Sequence, residues 1–173
     1  LRAELVQVGW KHAGFKGTAP MELVVGIELL HAGSLIIDDV QDGSLSRRGR
    51  PCLHRTLGVG PALNVGNILY FLAVEAIANV DERLGAQGRL NRFVNQTLIR
   101  CHQGQAMDLC LKVNELTQSR VADLVHETTR LKTGALTALA LSFGAHLANL
   151  PVDEKTLIDE LGHDLGICLQ MYD

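Results

Sequence analysis

Residues 21–42 read MELVVGIELLHAGSLIIDDVQD, and this stretch decides the fold. Apolar side chains at Met21, Val24, Val25, Ile27, Leu29, Leu35, Ile36 and Ile37 recur with helical spacing, and Pro20 stands where the first turn of a helix accepts a proline. They cover more than one face, which places this helix in the core of a bundle rather than at a surface. The helix ends in Asp38-Asp39-Val40-Gln41-Asp42, so carboxylates gather where the helix macrodipole is already negative. Asp38 and Asp42, four residues apart, stack on one face, whereas Asp39 lies about 100° round the axis. Like charges at that spacing repel. A hard divalent cation offsets the repulsion, and magnesium takes one or two carboxylates together with substrate phosphate. The other reading of the same run is a solvated helix end.

Outward from this helix the pattern stays helical. A polar stretch from Gly43 to Gly60 interrupts it, and Pro61 restarts a helix through Leu69, Tyr70, Leu72, Ala73 and Ile77 that ends near Asp81. Further helical stretches run from Leu84 to about Leu111 and from Val121 to Leu150, and Asp153 offers an N-cap for another. No segment alternates with the period of a strand. The spacing predicts an all-α fold, a large antiparallel helix bundle, as a single domain over residues 1–173. The chain opens on Leu1-Arg2-Ala3 and closes on Met171-Tyr172-Asp173 inside an apolar helical pattern, so the domain is expected to be incomplete at both termini.

Composition narrows the function classes. The 173 residues are 47% hydrophobic, enough for a sizeable core and too rich for disorder. A net charge of −3 with 4% aromatic residues argues against a nucleic-acid partner and against base-stacking platforms. Four cysteines (Cys52, Cys101, Cys110, Cys168) show no C-x-x-C spacing and fit small buried apolar side chains in a reducing compartment. The apolar stretch from Gly134 to Leu150 is interrupted by Thr137, Ser142, His146 and Asn149, so no membrane span is expected.

Next to the acid cluster stand Arg47-Arg48-Gly49-Arg50, with His54 close behind. Arginines beside carboxylates ordinarily make surface salt bridges. These outnumber what local pairing needs, and guanidinium is the favoured bidentate partner of phosphate. Acid cluster, turn and arginine pair together suit a metal-bridged diphosphate. Gln105 and Asp108 share a helix face by their spacing, as do Gln170 and Asp173. Lys132, in an otherwise apolar helix, would ordinarily snorkel to the surface.

The run from Glu28 to Asp42, followed by Arg47-Arg48-Gly49-Arg50-Pro51 and His54, resembles the first aspartate-rich motif of the trans-isoprenyl diphosphate synthases. Ala62-Leu63-Asn64 and Asn67-Ile68-Leu69-Tyr70-Phe71 make it most similar to the eukaryotic-type geranylgeranyl diphosphate synthases. Gly104-Gln105-Ala106-Met107-Asp108-Leu109, Lys132-Thr133-Gly134-Ala135-Leu136 and the segment from Gly162 to Asp173 follow in the family's order, so the resemblance covers essentially the whole chain.

The resemblance implies an isoprenoid-synthase bundle with a central active-site cavity. In it an allylic diphosphate (dimethylallyl, geranyl or farnesyl) condenses with isopentenyl diphosphate in a Mg²⁺-dependent ionisation, condensation and elimination. The family's pattern assigns Asp38 and Asp42, with Asp39 in support, to Mg²⁺, and adds Asp108 and Asp173, the latter as the first residue of a second aspartate-rich motif. It assigns Arg47 and Lys132 to the allylic diphosphate, and Arg2, His31 and Arg48 to isopentenyl diphosphate. Thr133 and Gln170 face the reacting centre, and Gln105 is expected on the cavity wall. Leu169 replaces the family's Phe of an FQ pair. Gly33 stands where an aromatic residue shortens products in some branches, so its small size points to a product longer than fifteen carbons, about twenty by the pattern. The family also implies a homodimer.

With the acidic run ending at Asp173, these 173 residues alone are expected to have little activity, and the longer parent to be Mg²⁺-dependent. No targeting segment is visible, and the expected compartment is the cytoplasm. Two other readings stay open: a prenyltransferase-fold terpene cyclase or transferase to a non-isoprenoid acceptor, and a non-catalytic synthase subunit. His31 and Arg48 speak against the cyclase, which needs no second diphosphate, and the complete acid cluster speaks against the subunit. The remaining histidines (His12, His102, His126, His146, His163) lack metal-ligand spacing and are expected at the surface or satisfied in the core.

Overall fold

A computed structural model of the chain describes residues 1–111 and 117–172. Eight α-helices carry it: α1 (Arg2–His12), α2 (Met21–Gln41), α3 (Leu53–Leu57), α4 (Val59–Arg83), α5 (Arg89–Cys110), α6 (Gln118–Thr129), α7 (Ala135–Leu147) and α8 (Val152–Tyr172). Among the described residues the strands are β1 (Ser46–Arg47) and β2 (Arg50–Pro51), an antiparallel hairpin in which Arg47 pairs with Arg50. Its two-residue loop, Arg48-Gly49, has positive φ at both positions (52° and 75°), as a type I′ turn requires. The hairpin thus turns back sharply beside the acid cluster.

The core forms where α1, α2, α4, α5 and α7 meet. Val6, Leu23, Ile27, Leu30, Ile77, Leu90, Val94, Leu139 and Phe143 are completely buried there. Twelve of the thirteen residues of α7 are buried, so the stretch judged too interrupted for a membrane span is the central core helix. Of its buried polar members, Thr137 Oγ1 donates to the Thr133 carbonyl, whereas Ser142 Oγ has no hydrogen-bond partner. Main chain meets main chain where glycines cross. A Cβ on Gly33 of α2 would lie 2.8 Å from the Gly66 carbonyl oxygen of α4, and one on Gly166 of α8 would lie 2.5 Å from the Gly134 Cα.

The structure departs from the expected pattern in three places. The amino-terminal helix α1 was not legible: it is short, intersperses apolar and polar side chains, leaves Val8 exposed, and buries only Val6, Gly9 and Trp10. The stretch from Val121 to Leu150 is not one uniform α-helix, because a π-helical turn, Arg130–Gly134, separates α6 from α7. A π turn pairs i with i+5 and inserts one residue into the register, re-aiming the side chains around it. Thirdly, α4 has the length and apolar composition to cross a membrane, the one such helix among the described residues. In the bundle it packs along α2, burying Ala62, Gly66, Ala73, Ile77 and Val80, and leaves Ile68, Phe71 and Leu72 exposed.

Candidate active site

A cavity of about 830 Å³ opens between α2, α5, α7 and α8, with the first turn of α1, the hairpin and the π turn at its rim. Leu1, Arg2, His31, Asp38, Arg47, Arg48, Gln105, Asp108, Lys132, Thr133 and Gln170 all line it. Segments far apart in sequence therefore converge on one space. Helical spacing explains how: His31, Ser34, Asp38 and Gln41 form one stripe of α2, and Leu98, Cys101, Gln105 and Asp108 form one stripe of α5.

One wall carries a polar network centred on Asp38. Its Oδ1 accepts from Lys132 Nζ at 2.8 Å and from Gln105 Nε2 at 3.0 Å. Gln105 Nε2 also donates to Gln41 Oε1 at 2.8 Å, and Lys132 Nζ reaches Asp108 Oδ2 at 2.8 Å. One ammonium thus bridges acids from two helices. Burial would lower the pKa of Lys132, but the hydrogen bonds to Asp108 and Asp38 outweigh it and raise it, so the charge is kept. Desolvation, then the neighbouring Asp38 carboxylate, raises the pKa of the Asp42 carboxyl.

Asp39 sits differently from its neighbours. It is 5% exposed, does not line the cavity, and accepts from Arg47 through both Nε (2.8 Å) and Nη2 (2.6 Å). The sequence placed Asp39 beside the metal; the structure places it behind Arg47, as the anchor of that guanidinium. Arg47 still faces the cavity and lies 3.7 Å from Asp38 Oδ2. The reason is the 100° step between adjacent helical residues: with Asp38 turned to the cavity, Asp39 is turned away.

A second cationic group lies at the rim. Burial, followed by the charges of Arg2, Arg48 and Arg47, lowers the pKa of His31 to about 4, so the ring is neutral at pH 7 and flanked by guanidinium groups. Arg2 Nε is buried with no hydrogen-bond partner, a donor that an incoming anion would satisfy. Opposite, Thr133 Oγ1 donates to Gln170 Oε1 at 2.9 Å, tying the π turn to α8. Asp173 lies outside the described residues.

The floor was missed by sequence reading. Tyr70 and His102 line the cavity edge to face, with ring centroids 5.7 Å apart, and His102 had been expected at the surface or in the core. Its signal was available in the i, i+3 and i+4 spacing that leads from Asp108 through Gln105 to Cys101 and His102. Gly33, read as an open tunnel wall, does not line the cavity at all; it is the buried crossing point of α2 on α4.

Among the described residues no three His, Cys, Asp or Glu side chains enclose a metal by themselves. Asp38 on the cavity wall offers hard oxygen donors suited to a magnesium ion that takes its remaining ligands from phosphate and water, whereas Asp42, the exposed C-cap of α2, does not line the cavity.

An all-α bundle enclosing a cavity, with an aspartate pair on one wall and two separate clusters of cations around it, defines the isoprenoid-synthase class of folds. The chain belongs to the polyprenyl synthetase family, whose model matches residues 9–173. It is 37% identical over 139 residues to a geranylgeranyl pyrophosphate synthase of Penicillium janthinellum, covering 79% of this chain and 35% of that protein. A copalyl diphosphate synthase of Talaromyces verruculosus is 35% identical over 144 residues, 82% of this chain and 14% of that one. The crystal structure of a geranyltranstransferase from Thermotoga maritima superposes with a TM-score of 0.85 at 30% identity, over 100% of this chain and 62% of the other. The chain therefore spans only part of the length of the proteins it matches.

Proposed function

We propose that this chain is the substrate-binding part of a trans-prenyltransferase that condenses an allylic diphosphate with isopentenyl diphosphate, giving geranylgeranyl diphosphate as the main product. The observation that carries this reading is the presence of two distinct anion-binding groups on one cavity. Lys132 and Arg47 stand beside Asp38, whereas Arg2, His31 and Arg48 cluster at the rim. A reaction between two diphosphates needs both.

Asp38, Asp42 and Asp108, the last joined to Asp38 through Lys132, are the residues that would hold Mg²⁺, and the ion would supply positive charge toward a departing diphosphate. Lys132 Nζ and Arg47, standing beside the same acids, bind the allylic diphosphate and favour the charge that develops on it. Heterolysis of the allylic C–O bond leaves the electron pair on the diphosphate. The isopentenyl double bond then supplies the electrons of the new C–C bond, and loss of a proton restores an alkene. Arg2, Arg48 and neutral His31 fix the second diphosphate so that its alkene is presented to the cation. Gln170 and Thr133 line that centre, and Leu98, Leu136 and Leu169 keep its wall apolar, which favours attack by alkene over water.

The test is incubation of the full-length protein with dimethylallyl, geranyl or farnesyl diphosphate, labelled isopentenyl diphosphate and Mg²⁺, followed by chain-length analysis. Incorporation into a twenty-carbon diphosphate, abolished by chelation of the metal, supports the reading. Turnover of an allylic diphosphate alone supports the cyclase instead.

A homodimer fits the same reading. Ile68, Phe71 and Leu72 of α4 and Ile99 of α5 are exposed apolar side chains, and a second copy would cover them. A reducing cytoplasmic location suits four cysteines that are all free.

A further inference from the structure

His163 lies outside the cavity, yet it touches the segment that arms it. The side chain is buried on α8, and its Nδ1 lies 3.1 Å from the Arg130 carbonyl oxygen, at the start of the π turn. A carbonyl only accepts, so Nδ1 carries the hydrogen. Nε2 faces the Asp159 carboxylate at 3.8 Å, beyond hydrogen-bond reach. Arg130 and Arg100 are the other charges that act on the ring, and burial holds its pKa below the ordinary histidine value. A neutral imidazole has one N–H, and here it is spent on main chain.

The same face of α8 contacts the π turn at both ends. His163 engages Arg130 and lies against Gly134, where an added Cβ would come within 3.0 Å of Nδ1. Seven residues on, Gln170 accepts from Thr133 Oγ1. Lys132 lies between these two attachments, and its ammonium reaches Asp38 and Asp108. A π turn is a less favourable conformation than an α turn and persists where its surroundings hold it.

We propose that His163 is a positioning residue: by donating from Nδ1 to the Arg130 carbonyl it clamps the π turn in the register that aims Lys132 and Thr133 into the cavity. Without the clamp the segment relaxes toward α register, which turns Lys132 by about 100°. The effect on turnover rests on the prenyl-transfer reading; the clamp does not.

The experiment compares full-length wild type with His163→Asn, whose amide nitrogen can occupy the Nδ1 position, and with His163→Leu, which has no donor. In His163→Leu, amide hydrogen exchange over residues 130–135 should rise. The KM for the allylic diphosphate should also rise, about tenfold for one lost hydrogen bond, with the KM for isopentenyl diphosphate unchanged. His163→Asn should restore both readouts, and wild type should show the Nδ1-protonated tautomer in a long-range ¹H–¹⁵N spectrum. If His163→Leu does not fold, His163→Gln, whose donor reaches the Nε2 position instead, takes its place with the same expectation. Wild-type exchange in the donor-less variant, equal rises in both KM values, or no rescue by Asn overturns the proposal. If wild type does not turn over, the prenyl-transfer reading fails by itself, and exchange with inorganic pyrophosphate affinity still decides the clamp.

Discussion

Lys132 is the residue on which the site's charge balance turns, since one ammonium serves Asp38 and Asp108 together. Replacing it with Ala leaves two acids facing each other and removes a donor to the leaving diphosphate. A fall of roughly 10²-fold in kcat is expected, the order seen when one charge-stabilising donor is lost, measured by steady-state kinetics at saturating Mg²⁺. Histidine chemistry gives a second expectation. Burial first, then neighbouring cations, lowers His31 and His146 from 6.5 to about 4. Between those values the unfolded chain binds protons that the folded chain refuses, so stability falls as pH drops from about 6.5 toward 4. Thermal melts across that window should show the loss, and His146→Phe, which keeps an aromatic ring against Phe93, should remove the part due to His146 and leave that due to His31. At this scale most of the site was legible. Asp38, Lys132, Gln105 and Asp108 share one cavity, a meeting expected from the family resemblance and not from spacing, whereas the withdrawal of Asp39 behind Arg47 was not readable. Spacing says that two adjacent carboxylates diverge, but not which of them faces the cavity.

The elements show where local pattern loses to packing. Nothing in Arg130-Leu131-Lys132-Thr133-Gly134 marks a π turn: there is no proline, and a single glycine does not distinguish a π turn from a tolerated helical glycine. The turn is stated by its partner α8, through His163, Gly166 and Gln170, and a partner thirty residues away leaves no mark on periodicity. The crossing of α2 on α4 gives a test of the corrected reading of Gly33. Gly33→Phe must force the helices apart, at a cost of about 1–3 kcal/mol or more in chemical denaturation. It should not act as a clean stop on product length. Ser34→Phe, one residue on and lining the cavity, should shorten the product by direct occlusion, as read by chromatography of the dephosphorylated alcohols.

For the whole molecule, the bundle was legible through its long apolar helices α2 and α4, whereas α1 offers eleven residues of which only Val6, Gly9 and Trp10 are buried. The apolar length of α4 would suit a membrane span as well as a bundle helix. The structure shows a helix half committed to α2, with Phe71 73% exposed on the other side. Phe71→Glu should convert a dimer to a monomer in sedimentation analysis while leaving the helical circular dichroism unchanged. The cavity also joins the extremes of the described chain, since Leu1 and Arg2 share it with Leu169 and Gln170. Most contacts in a helical protein are local and form quickly, but this space exists only after a loop of nearly the whole sequence has closed. Anything that fits it is consequently a ligand of the native state alone. Inorganic pyrophosphate at a hundred times its dissociation constant should add about 2.7 kcal/mol to the unfolding free energy. Occupancy of the cavity could then be followed by melting temperature in any preparation, turning over or not.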